Sequence, residues 1–429
     1  MIETSKKNRP RDVFDSDVSI RFLRNNRQLL GMIYAQKDRL ALRNILPSNA
    51  LSAFARDSQT KIKIRVFYLV FWNTLRTTCE ACLNDRDIDL LMIASTEQEK
   101  DLLIRQGYNC LTQDEYDLKS DKPDVFVLSY CGGGEAHRSL GDIRKYSRLV
   151  VVTNQSMVLY GGLNGFIRLV EKYFAPYSPD FYMFDSLLYR KLKNTEYFRD
   201  KPLLEMGQAK YDGIYDACRT VKTVRGWEKL NGKTVILWTT SHGIYEGSGI
   251  IEHVSFDVYA KEVFQYMNDH QNLGLIFRPH SSLIGELIPK YALWTNEDLD
   301  ILRRYCEASP NVVFDESKEY DNAFAISDAV ISDPHCGVMI SALPMLKPIC
   351  VFYRSPSVKD YDDDTVRHFY KVHTREELLD FFAMIERGDD PMRSEREKTA
   401  REYVKHFDGK NGWRIKEFMK QAFQSKIMT

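Results

Sequence analysis

Four short segments hold the residues best suited to chemistry: Ser241-His242-Gly243, Arg278-Pro279-His280, Ser332-Asp333-Pro334-His335-Cys336-Gly337 and Arg354-Ser355. Guanidinium forks pair with phosphate oxygens, and glycine-flanked backbone N–H groups approach anions closely. An imidazole, with a pKa of about 6.5, can hold a phosphate as a cation or take a proton as a base. Each segment follows an apolar run (TVILWTT, LGLIF, DAVI, PICVFY), which places it past the end of a strand. Arg is seldom buried unpaired and Pro cannot donate to a central ladder, so Arg278-Pro279-His280 must lie beyond its strand's carboxyl end. If the strands are parallel, the four segments meet at one sheet edge, where open α/β sheets bind ligands. Three His, two Arg and several hydroxyls gathered there suit a phosphorylated ligand.

The elements that would position them alternate along the chain. From Lys61 the pattern runs through strand KIKIRVFYLVF, helix TLRTTCEACLND, strand DIDLLMIAS, helix EQEKDLLIRQG and strands DVFVLSY and RLVVVT. A second series starts at Lys233: strand TVILWTT, helix FDVYAKEVFQYMNDH, strand GLIFRPH, helix DLDILRRYCEAS, strand NVVFD, helix YDNAFAIS, then strands DAVISD and PICVFY. Such alternation indicates βαβ units and parallel sheets. Two series without an internal repeat predict an α/β protein of two Rossmann-like domains facing across a cleft, over 61–230 and 231–429. Residues 1–60 form a helical extension, amphipathic over 18–48, for docking on its own domain, a partner or an anionic membrane surface. Residues 177–230 read as a mixed stretch, and the segment from Glu376 as helices that finish the second domain, with a return to the first as an option.

Composition narrows the classes. The chain has 429 residues, with 60 basic and 60 acidic side chains. Zero net charge argues against a dedicated nucleic-acid binder, so any anion site must be local. No run of about 18 apolar residues occurs and the start, MIETSKKNRPRD, lacks a secretory apolar region, so the expected compartment is the cytoplasm. Of the eight cysteines, Cys79 and Cys82 form a C-x-x-C on a helical pattern with no second pair, which favours buried free thiols over zinc or redox use. Neither a Walker A sequence nor a G-x-G-x-x-G after the first strand is present. The acidic run KDYDDDT (359–365) is a solvated loop or a Mg²⁺ site, and the aromatics of EKYFAPYSPDFYMFDSLLY are core or an acceptor platform.

The order R-P-H (278–280), the acidic stretch Asp315–Tyr320, I-S-D (331–333) and M-L-K-P-I-x-V-F-Y (345–353) resembles the CDP-glycerol glycerophosphotransferase family, of the teichoic-acid polymerase type. The resemblance is strongest over 233–372. It is weaker over 61–225, where MGQAKYD is similar to the family's G-x-P-x-x-D segment. It implies a GT-B fold with an N-terminal acceptor domain and a C-terminal nucleotide-donor domain. It also implies transfer of a polyol phosphate, glycerol phosphate foremost, from a CDP-linked donor to a hydroxyl of a lipid-linked or oligosaccharide acceptor, with release of CMP. That chemistry needs a base for the hydroxyl and cations for the diphosphate. Contact with the inner face of the cytoplasmic membrane is implied through the acceptor. No cofactor is required, with Mg²⁺ an option.

Matched residue by residue, Arg278 and His280 fall on the family's R-P-H, Asp333 on the Asp of its D-Y-S-S, and Lys347-Pro348 on its K-P. The sequence departs from the pattern twice. Pro334, His335 and Cys336 replace the D-Y-S-S hydroxyls, and the first-domain W-H-G-T that supplies the family's catalytic His is absent. The base is therefore sought among His280, His137 (past the strand DVFVLSY) and His242. The expected binding set is Arg278, Ser332, Asp333, His335, Cys336, Gly337, Ser241, Gly243 and Arg354. His253, His270, His368, His373 and His406 are expected in solvated or structural places. The two departures keep open a GT-B glycosyltransferase using a UDP or GDP sugar, and a non-catalytic subunit.

Overall fold

The computed structural model describes residues 61–67, 72–129, 142–153, 162–241, 254–280, 295–317, 319–334, 336–354 and 366–428. The amphipathic stretch 18–48 and the acidic run 359–365 lie outside them. The chain divides into two compact units, one made of 1–154, 173–183 and 410–429, the other of 155–172 and 184–409.

The first sheet contains β1 (Ile62–Phe67), β2 (Ile88–Ala94), β3 (Cys110–Thr112), β4 (Val125–Ser129), β5 (Leu149–Thr153), β6 (Phe181–Phe184) and β7 (Leu203–Glu205), in the order β3-β2-β1-β4-β5-β6-β7. The pairs from β3 to β6 are parallel, with Ile64 of β1 level with Leu90 on one side and Val125 on the other. β4 and β5 are buried along their whole length, as fully covered parallel strands require. One charge sits inside: Arg65 of β1, 3% exposed, forks onto Asp121 at 2.6 and 3.0 Å and onto Asp89 at 2.9 Å.

The expected helix between β1 and β2 forms as Arg76–Leu83, and Cys79 and Cys82 are free thiols buried in it. Burial pushes Cys79 well above the usual thiol range and Cys82 up to about 12, so neither is a thiolate at neutral pH. The C-terminal helix, Asn411–Met428, belongs to this first unit and packs on Arg76–Leu83. Lys416 and Lys420 anchor it on Asp85 at 2.8 and 2.9 Å. Its Gly412 lies so close that a Cβ there would stand 2.3 Å from the Thr77 carbonyl carbon, backbone that cannot rotate aside. Gly412→Ala is therefore expected to cost about 1–3 kcal/mol, the usual range for overpacking, read as a lower urea midpoint with an unchanged slope.

The second sheet contains β8 (Thr234–Thr239), β9 (Leu273–Arg278), β10 (Val312–Phe314), β11 (Ala329–Ser332), β12 (Ile349–Phe352) and β13 (Tyr370–Val372), in the order β10-β9-β8-β11-β12-β13, every pair parallel. Its core centres on Trp238, fully buried and ringed by Phe256, Phe264, Phe277 and Phe352 at centroid distances of 5.1–6.1 Å. The helix Phe256–Asp269 offers it Phe256, Tyr259, Val263 and Met267, a stripe at helical spacing. Two parallel sheets with interleaved helices make this an α/β protein of the GT-B type, with two Rossmann-like sheets.

In both sheets the first strand is central, the second lies on one side of it and the fourth on the other. That reversal is the switch point at which such sheets take ligands. In the second sheet it falls between β8 and β11. The stretch 177–230 contains more than a mixed pattern suggests: β6, β7 and the helices Ser186–Leu192 and Lys210–Thr220. Tyr177, Tyr182 and Phe184 are buried, so these aromatics serve the core. β6 is short and lies between Ser178-Pro179-Asp180 and Asp185, which masks its alternation.

Candidate functional site at the carboxyl edge of the second sheet

The exits of β8 and β11 are joined by one carboxylate. Asp333, the first residue past β11, is fully buried; it accepts the Ser241 N–H at 2.6 Å, the Ser255 N–H at 3.0 Å and the Ser255 hydroxyl. Burial pushes its pKa up to about 7, against the downward pull of those three donors. Ser241 precedes and Ser255 follows the glycine-containing segment 242–253, so Asp333 draws together the described residues on either side of it. Beside it Thr239 donates to Ser332 Oγ at 3.1 Å, and the buried Cys336 thiol rests against both hydroxyls. Burial raises that thiol's pKa, so it is a neutral wall rather than a nucleophile. Gly337 opens the short helix Gly337–Ala342 immediately after it.

β9 delivers its residues to the same edge. Pro279 ends the ladder at Arg278, and the His280 N–H donates to Thr240 Oγ1 at 3.4 Å, so the exits of β8 and β9 are tied; the His280 side chain is half-buried. Arg278 donates to Asp315 at 2.5 Å, to Ser317 Oγ at 2.9 Å and to the Ser317 carbonyl at 2.6 Å. Its two terminal nitrogens thus brace the turn that leaves β10. Arg354, past β12, donates to the Asp257 carboxylate and the Val254 carbonyl, and so braces the start of the helix Phe256–Asp269. Lys347 donates to the Phe324 carbonyl at 2.5 Å and to the Ser327 carbonyl, at the end of the helix Asp321–Ile326; burial lowers its pKa.

The sequence-selected residues Ser241, Arg278, His280, Ser332, Asp333, Cys336, Gly337 and Arg354 therefore share one edge. His137, His242, Gly243 and His335 lie outside the described residues. Sequence reasoning did not single out Thr239, Thr240 or Ser255, although the first two directly precede Ser241. It also passed over a buried polar group, Asp185, Gln208 and Lys210, of which only Gln208 and Lys210 lie in the MGQAKYD segment. The Lys210 ammonium lies within electrostatic range of Asp185 and of the Cys336 thiol, which places the group beside the sheet edge. Burial lowers its pKa to about 8.

No protein-family model matches the chain, and no curated protein matches it in sequence. Solved structures do match in fold. The chain is similar to the Staphylococcus aureus protein MnaA, solved with UDP (12% identity, TM-score 0.57, covering 85% of this chain and 97% of that one). It is similar to a putative UDP-N-acetylglucosamine 2-epimerase from Listeria monocytogenes (12%, TM-score 0.58, 85% and 98%). It is also similar to the wall teichoic acid polymerase TagF (12%, TM-score 0.57, 95% and 98%). Identities this low establish the GT-B type of fold and nothing finer. Among the described residues no helix is long and apolar enough to cross a membrane.

Proposed function

We propose that the protein is a transferase that moves a polyol phosphate, glycerol phosphate foremost, from a CDP-linked donor to a hydroxyl of a cell-surface glycan or polyol-phosphate acceptor. The observation that carries this reading is that R-P-H and I-S-D, separated along the chain, leave the sheet on either side of β8, beside the switch point. The likeness to a wall teichoic acid polymerase over 95% of this chain supports it. The acceptor hydroxyl attacks the β-phosphorus and gives its proton to a base, sought among His280, His137 and His242; the bond from that phosphorus to the bridging oxygen breaks, and CMP leaves with the electron pair. His280, at the rim, protonates or steadies the phosphate oxygens, while the buried tie at Asp333, the part-buried one at Arg278 and the exposed one at Arg354 brace the residues around it. A lipid-linked acceptor would bring the protein to the inner face of the cytoplasmic membrane as a peripheral visitor.

A second reading is favoured by the replacement of the expected hydroxyls with Pro334, His335 and Cys336 and by the likeness to a protein solved with UDP and to a putative UDP-N-acetylglucosamine 2-epimerase: a nucleotide-sugar enzyme on the same scaffold. Thermal shift separates the two. CDP is expected to raise the melting temperature at concentrations where UDP and GDP leave it unchanged; a preference for UDP transfers the assignment to the second reading.

A further inference from the structure

Near Cys336, three buried side chains carry polar groups whose hydrogen-bonding capacity is not filled among the described residues. Asp185 caps the helix Ser186–Leu192 through Oδ1, which accepts the Leu188 N–H at 3.1 Å, while its Oδ2 has no partner among the described residues. The Gln208 side chain is a hydrogen-bonding neighbour of that carboxylate, while its own Oε1 is buried without a donor among the described residues. Lys210 faces Asp185 and Cys336 electrostatically and its ammonium lies 5.8 Å from the Tyr211 ring centroid, yet among the described residues it makes no hydrogen bond or ion pair. All three side chains are 5% exposed. Buried polar atoms are nearly always bonded, and each one left alone costs about 1–3 kcal/mol, so a group of them marks a place where something else binds.

The chemistry of that something follows from the three groups together. An anion would confront the two oxygens Asp185 Oδ2 and Gln208 Oε1, and a cation would confront Lys210. A neutral ligand bearing hydroxyls satisfies all three, since each hydroxyl donates to an oxygen and accepts from an ammonium. We infer that Asp185, Gln208 and Lys210 form a subsite for the hydroxyl groups of a neutral polyol or sugar unit. This rests on the proposed transfer to a hydroxyl and identifies the acceptor end of that reaction. Burial raises the Asp185 pKa and lowers that of Lys210, which softens both charges and suits an uncharged guest. Cys336 links the subsite to the edge that carries His280, through the Ser332 and Thr239 hydroxyls.

The test is saturation-transfer NMR on the full chain in the presence of CDP, with glycerol, ribitol and methyl N-acetyl-β-glucosaminide as separate probes. At least one probe is expected to show transfer in the wild type. Asp185→Asn and Lys210→Met are expected to reduce it at least five-fold, with the CDP thermal shift retained. Asn keeps an oxygen for the Leu188 N–H, so the helix cap survives and unchanged melting certifies the fold. No transfer to any probe in the wild type, or transfer that both variants retain, overturns the inference and leaves a lone buried water as the occupant. A CDP shift that is absent while the Asp185-dependent transfer persists refutes the cytidine donor and upholds the subsite.

Discussion

Asp333→Ala is expected to strip the protein of nucleotide binding and of about 3–5 kcal/mol of stability, a large share of the roughly 5–15 kcal/mol that holds a domain folded. The substitution leaves the Ser241 and Ser255 N–H groups and the Ser255 hydroxyl facing a buried space without an acceptor, at about 1–3 kcal/mol each. The described residues on either side of the segment 242–253 then lose their common anchor. Asp333→Asn separates charge from shape: its amide nitrogen must face one of the two backbone donors, so a smaller loss of about 1–3 kcal/mol is expected. The pH dependence has a definite sign. A carboxyl whose folded pKa is about 7, against about 3.9 unfolded, lends stability that is fully present below pH 4 and is lost as pH rises through 7. The melting temperature of the wild type relative to Asp333→Asn should therefore fall between pH 4 and 7; a gap that widens over that range contradicts the assignment.

His280→Ala is expected to lower the rate of transfer by about 10²–10⁴-fold, the usual worth of a positioned proton-transfer group, with melting unchanged. Its backbone N–H tie to Thr240 is kept by alanine. Arg278→Met should behave differently, because its guanidinium braces Asp315 and Ser317. It is expected to lower stability and loosen the turn after β10, with activity lost in step with folding. Chemical denaturation run beside the activity assay distinguishes the two patterns: a His280→Ala protein that is active but unstable would reverse these two roles.

Most of the scaffold was legible in the sequence because its strands are buried on both faces. TVILWT, LGLIFR and AVIS are apolar runs cut off by polar residues, and each became a strand whose last residue is polar; Arg278, expected beyond its strand, instead closes β9, paired with Thr239. The shared edge followed from parallel pairing. Partners were less legible than positions. Arg278 was readable as a cation leaving a strand, but its engagement with Asp315 depends on register: Phe314 pairs with Phe277, so the next residues of β10 and β9 stand side by side. The inward turn of Asp333 likewise depends on the return of Ser255 to the sheet edge, far from Ser241 in sequence. Asp185, Gln208 and Lys210 were hidden because burial, rather than spacing, makes them unusual.

Transfer from a CDP-linked donor is tested most directly by CMP release from CDP-glycerol, with a membrane extract as the acceptor source. Release is expected to require the extract, to be absent with UDP-N-acetylglucosamine in place of CDP-glycerol, and to disappear in His280→Ala. Turnover of the UDP-sugar, with CDP-glycerol left intact, would contradict a cytidine-linked donor.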